Sequence, residues 1–236
     1  MAPWAAAPQT TAGAAEQPLI SVGNSSSLTL DSGAVLRNND SSRGDGGVSV
    51  SGATFNMTGG SITGNTARAD DGGGGVYVGR NATFNMSDGS ITGNNAAYGG
   101  GVYTVNEFKM YGGSITGNNA YKSDYISTFG GGVCVGSGIF TVSGEVTVTD
   151  NTKGGTKGAD GKFTGDTKNN VYLPTGKTIT IGTDKLSEGA QLGVTVSGDY
   201  GDYPFTSGWN ANMSDKTPIR LLHLRYRRIC GQVERQ

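Results

Sequence analysis

GGGVYVGRNATFNMSDGSITGN (73–94) decides the fold, because the chain repeats it. GGVSVSGATFNMTGGSITGN (46–65) precedes it, and GGGVYTVNEFKMYGGSITGN (99–118) and GGGVCVGSGIFTVSGEVTVTDN (130–151) follow. Four copies at this period describe a solenoid, in which each unit leaves an apolar face exposed until its neighbour stacks upon it.

Three short segments alternate within 73–94: Val76-Tyr77-Val78, Phe84-Asn85-Met86 and Ser90-Ile91-Thr92. Apolar and polar residues exchange at every step, which is strand periodicity, and no helical spacing is present. Gly, Asn, Asp and Ser separate the segments, as turns with φ > 0 require. Three strands and three turns make one coil of a parallel β-helix. The fold class is therefore all-β.

Stacked in register, the copies build the core as columns. Val48, Val76, Val102 and Val133 form the first, and Phe55, Phe84, Phe108 and Phe140 the second. Met57, Met86, Met110 and Val142 form the third; Ile62, Ile91, Ile115 and Val148 form the fourth. Tyr77, Tyr103 and Cys134 are expected to point outward as a surface row. Weaker coils flank these. Leu28 and Leu30 with Val35 and Asn38 match the pattern on one side, and Asn170–Leu173 with Lys177–Ile181 on the other. About six coils at a rise of roughly 4.8 Å make a short rod, whose ends need protection.

The interval from Phe to the closing Asn is constant at Phe55–Asn65, Phe84–Asn94 and Phe108–Asn118, whereas Phe140–Asn151 carries an extra residue and predicts a bulge. Aligned Asn residues can form an amide ladder or occupy a left-handed corner. Both readings are structural. Length variation is expected to be confined to the corner between that Asn and the next glycine run, in segments 66–72, 95–98 and 119–129. Insertions confined to one corner fall on one face, where a solenoid carries its binding surface.

Glycine supplies 42 of 236 residues and charged residues only 16%, which fits tight turns and excludes a helical enzyme. Cys134 and Cys230 have no disulfide or metal spacing. Residues 1–19 are Ala/Pro-rich, without the basic and apolar regions of a signal peptide, and read as a linker or the start of a fragment. Residues 20–181 are the β-helix. Residues 182–215 are expected to be a β-rich cap, with Tyr200, Tyr203, Phe205 and Trp209 as a plug. Residues 216–236 change character: six cationic side chains stand against Glu234, with one glycine. We read this tail as a truncated or frame-shifted end rather than a nucleic-acid site. No apolar run is long enough to insert in a membrane.

The GGGVYV and SITGN segments resemble the GGA[I/L/V] and FxxN motifs of the chlamydial polymorphic outer-membrane proteins. Ile replaces Phe at Ile62–Asn65, Ile91–Asn94 and Ile115–Asn118. The texture is similar to that of large right-handed β-helix surface proteins of bacteria, within the pectate-lyase-like superfamily. The resemblance spans about 28–181. It implies a right-handed parallel β-helix, extracellular or cell-surface placement, and an adhesin-like role with no catalytic motif residue.

Enzymes of this fold cleave acidic polysaccharides with clustered acids and an Arg or Lys base, which is the alternative. Here the paired carboxylates are Asp70 and Asp71 beside Arg68, and adjacent strand residues point opposite ways. Lys122, Asp124 and Tyr125 in the longest loop are a thinner set, and the single histidine, His223, lies in the tail. Arg43-Gly44-Asp45 is an integrin-type tripeptide of a kind that Gly-rich loops produce by chance. The Thr63, Thr92, Thr116 and Thr149 row lacks the paired threonines of an ice-binding face. Asn56-Met-Thr and Asn85-Met-Ser lie inside strands, and 71–75 lacks the alternating Asp of a calcium-binding nonapeptide. The expectation is a non-catalytic solenoid without catalytic residues, cofactor or metal, meeting a host glycan or host surface protein through 66–72, 95–98 and 119–129.

Overall fold

A computed structural model of the chain describes residues 16–68, 72–121, 128–158, 163–164, 167–196, 205–208 and 220–224. Among them every regular element is a strand. The chain winds as a parallel β-solenoid of about six turns, the first five each contributing a strand to each of three sides.

The first side runs in unbroken register through Ile20, Val48, Val76, Val102, Val133 and Val171. The long side carries Ser27–Leu30, Thr54–Thr63, Thr83–Thr92, Glu107–Thr116, Ile139–Thr149 and Ile179–Leu186. Its register pairs Phe55 with Phe84, Phe84 with Phe108, and Phe108 with Phe140. The short side is a ladder of two-residue strands: Asp40–Ser41, Thr66–Ala67, Asn95–Ala96, Asn119–Ala120 and Thr152–Lys153.

The expected columns are the core. Phe55, Phe84, Phe108 and Phe140 are fully buried, with successive centroids 4.8 Å apart and ring planes within 5–13°. That spacing is the strand spacing, so the backbone ladder dictates the stack. Met57, Met86, Met110 and Val142 fill the space beside it, also at 0% exposure. The bulge sits at Ser143-Gly144, where the register slips one residue against Glu107–Thr116. Gly144 takes φ 71° there.

Two expectations are corrected. Asn38 is not the counterpart of Asn65. Leu28 pairs with Phe55 but Val35 pairs with Ser61, so the first coil also carries an extra residue and Asn39 holds the matching place. Cys134 keeps register with Tyr103 but is only 3% exposed: its side chain is far shorter than tyrosine's, and the Gly130 backbone runs close beside it. Burial pushes its thiol up to about 12.

Residues 182–196 also wind in register. Leu186 stacks on Gly144, Leu192 on Val148, and Val194 on Val171, completing a sixth turn that omits the short side. Phe205 packs against the core; Tyr200, Tyr203 and Trp209 lie outside the described residues. Arg220–Leu224 forms a further parallel strand on Gln191–Thr195.

Candidate functional site

The corner where length varies is built from the two repeated motifs together. Each Asn of SITGN donates twice to its counterpart in the next coil. The Asn94 backbone N–H and Nδ2 both reach Asn118 Oδ1 at 3.0 Å. Asn118 makes the same pair to Asn151 at 3.0 and 2.9 Å, and Asn151 to Asn170 at 2.8 and 3.1 Å. The second Nδ2 hydrogen goes back one coil, from Asn94 to the Ile62 carbonyl and from Asn118 to the Ile91 carbonyl, both at 2.9 Å. With Oδ1 accepting two bonds and Nδ2 donating two, the buried amide is fully satisfied. The left-handed corner falls to the preceding residue, with φ of 66° at Gly64 and Gly93, 64° at Gly117 and 55° at Asp150. Ladder and corner are thus divided between neighbouring residues.

The glycine doublet that opens the same unit closes on this ladder. A Cβ at Gly101 would lie 2.6 Å from the Gly132 oxygen, 2.8 Å from Ile115 Cγ2 and 3.1 Å from Asn118 Nδ2. GGGV and SITGN, distant along a unit, are two halves of one corner. The loops leave from it and return to it.

What the returning chain adds is an aromatic ledge outside the first side. Tyr98 and Phe129, each one residue before the glycine run, form a parallel bridge and lie 6.1 Å apart by ring centroid. Tyr98 lies 5.8 Å from Tyr103 at 35°, Tyr103 lies 5.7 Å from Tyr77 at 39°, and Phe129 stacks 4.3 Å from Tyr172. All five rings are half-buried. Lys153 Nζ stands 5.8 Å over the Phe129 ring. Sequence reading placed Tyr77 and Tyr103 but missed Tyr98 and Phe129; the signal was an aromatic directly before Gly-Gly in two successive loops.

Asp45 lies two corners earlier, in register with Gly73 and Gly99 rather than with Tyr98. Its carboxylate accepts hydrogen bonds from Ser49 and the Gly73 backbone, and a Cβ at Gly72 would lie 2.9 Å from its Oδ1. Burial raises its pKa to about 6 against the lowering effect of those bonds. The acidic end of Arg43-Gly44-Asp45 is therefore folded onto the solenoid, while the Arg43 guanidinium lies 3.4 Å from Glu16.

Arg68 is occupied by Asp40, with Nε and Nη2 each 2.6 Å from one carboxylate oxygen. This bidentate pair raises the Arg68 pKa further. Asp70, Asp71, Lys122, Asp124 and Tyr125 lie outside the described residues, and His223 is described as backbone only. Segment 95–98 is therefore described whole, and 66–72 and 119–129 in part. Thr63, Thr92, Thr116 and Thr149 face outward in register, and Asn85 Nδ2 donates to Asn56 Oδ1 at 2.9 Å on the long side. Among the described residues no three His, Cys, Asp or Glu converge. No helix there is long and apolar enough to cross a membrane. The chain matches no protein-family description, and searches of curated proteins and of solved structures return no similar protein.

Proposed function

We propose that this chain is a non-catalytic, extracellular or cell-surface β-solenoid of a bacterial surface protein, serving as a stalk or adhesin-like module. The observation that carries the reading is the asymmetry of the coil. The three sides repeat in register apart from one-residue slips on the long side. The turn from the first side to the long side varies from two to five residues. The largest length variation, with the aromatic ledge beside it, gathers at one corner. A rigid scaffold bearing variable loops on one face is the architecture of recognition. The likeness of GGGVYV and SITGN to repeats of polymorphic outer-membrane proteins supports the same placement. The partner is a host glycan or host surface protein met through 66–72, 95–98 and 119–129.

Binding of the recombinant full chain to host cells and to a glycan array tests this reading. Saturable binding, lost when 95–98 is replaced by Gly-Ser, is the expected result. Robust turnover of a polyuronate, read as unsaturated product or new reducing ends, would overturn it in favour of a polysaccharide lyase or hydrolase. The Arg68–Asp40 pair leaves that alternative without the free guanidinium it was expected to use.

A further inference from the structure

We infer that Asp88-Gly89 is a site of spontaneous backbone modification, where the Asp88 side chain and the Gly89 nitrogen close to a succinimide that reopens as isoaspartate. This goes beyond the adhesin-like reading and does not depend on it. The repeat itself singles out the site. Where the long side slips register, the flanking coils carry Gly59-Gly60 and Gly112-Gly113, and the coil between them carries Asp88-Gly89. Asp88 is exposed, so water reaches its carboxyl group. Gly89 takes φ 97° and has no side chain to crowd the ring that must form. The Gly89 N–H points at Asp88 Oδ1, with the nitrogen 2.7 Å away. The carboxyl carbon is bonded to that oxygen, so nucleophile and electrophile already stand side by side. When the amide loses its proton, the lone pair left behind lies along the former N–H direction, towards the carboxyl group.

The reaction needs no partner but water. The Gly89 nitrogen loses its proton and bonds to Asp88 Cγ, the protonated carboxyl group loses its hydroxyl, and the two leave together as water. Water then adds at one of the two ring carbonyls and breaks its bond to nitrogen. Opening at the main-chain carbonyl leaves the chain running through Cβ and Cγ, one methylene longer, with the α-carboxylate as the side group. Either opening brings in one solvent oxygen. The added length has no slack to take it up: a Cβ at Gly89 would lie 2.7 Å from both the Gly59 oxygen and Met57 Cε. Asp31-Ser32, two coils earlier, is the internal comparison. The Ser32 N–H makes the same 2.7 Å contact to Asp31 Oδ1, but the Thr58 hydroxyl also holds that oxygen at 3.1 Å, and Ser32 carries a side chain.

The test ages the full chain at neutral pH in heavy-oxygen water and maps its peptides by mass spectrometry with fragmentation that distinguishes isoaspartate. The peptide containing Asp88 should gain solvent oxygen and isoaspartate roughly tenfold faster than the peptide containing Asp31. Exposed Asp184, followed by Lys185, gives the background. Asp88→Glu, whose ring would need six members, should lose both signals. Amide exchange in 54–63 and 107–116 should quicken with age in the wild type and not in Asp88→Glu. The same chain unfolded in urea should isomerise at Asp88 no faster than the folded chain, because the fold already holds the nitrogen on the carboxyl group. Much faster reaction in urea would mean that the fold guards the bond, and would overturn the inference. So would label spread evenly over Asp31, Asp88 and Asp184, or none at Asp88. None of these outcomes bears on the adhesin-like reading.

Discussion

Asn118 Oδ1 accepts two bonds from Asn94, one from its backbone N–H and one from its side-chain amide, both at 3.0 Å. The pair ties the corner of one coil to the next through a side chain where the regular backbone ladder turns. Because the same contact recurs from Asn65 to Asn170, the ladder behaves as a seam, and its failure at one rung exposes polar groups on both neighbours.

Asn118→Ala should therefore destabilise by about 2–4 kcal/mol. It leaves the Asn94 N–H and amide without an acceptor and the Ile91 carbonyl without a donor. Asn118→Asp keeps shape and acceptor but buries a carboxylate oxygen against the Ile91 carbonyl and Asn151 Oδ1, so it should cost at least as much as alanine. Asn85→Ala, on the exposed long side, should cost under about 0.5 kcal/mol. Denaturant midpoints compare the three. A similar shift for Asn85→Ala and Asn118→Ala would remove the seam from the account.

Gly101→Ala should destabilise by about 2–3 kcal/mol although its backbone needs no left-handed conformation. The added methyl meets the Gly132 oxygen and Ile115, neither of which can withdraw. Gly52→Ala is the opposite case, with φ 60° and nothing within 4 Å. It should cost only about 1 kcal/mol of backbone strain. Thermal unfolding of both variants decides the ranking, and the reverse order would mean the doublet is kept for flexibility rather than close approach.

The long-range regularity was legible in the sequence because a period-2 strand fixes inside and outside at once. A column such as Phe55–Phe84–Phe108–Phe140 follows from alignment alone. One-residue shifts were not legible. The extra residue between Leu30 and Val35 looks like part of an ordinary Gly-containing turn, so Asn38 was aligned where Asn39 belongs. The burial of Cys134 depends on where the loop returns, and strand alternation carries no information on that. Tyr98 and Phe129 escaped for the same reason: they lie in segments without periodicity, and they share a column only after the Gly-Gly corners align, while Asp45 falls one residue further along, in register with Gly73 and Gly99.

Stability should fall as pH rises from about 4 to about 6. Asp45 holds its proton more tightly in the folded chain, with pKa near 6, than at its ordinary 3.8. Its contribution is fully present below the ordinary value and is lost as pH rises through 6. The loss should reach about 2 kcal/mol. Asp45→Asn keeps a neutral hydrogen-bonding group and should flatten that part of the profile. Urea midpoints measured every half unit between pH 3.5 and 7 give the slope. A wild-type profile that rises across this window, or an Asp45→Asn profile that keeps the fall, would remove Asp45 as its cause.

Phe84 sits between Phe55 and Phe108 at 4.8 Å from each, fully buried in the middle of the rod. Phe84→Ala opens a cavity that the flanking rings cannot close, since the backbone ladder fixes their spacing, and should cost about 3–5 kcal/mol. Coils couple only to their neighbours, so the damage should spread locally before the rod unfolds. Amide exchange should accelerate first in 54–63 and 107–116, the strands on either side. Tyr77→Ala, on the outward row of the adjacent side, should cost about 1 kcal/mol or less. If both substitutions shift the unfolding midpoint equally, Phe84 does not carry the core that the stack assigns to it.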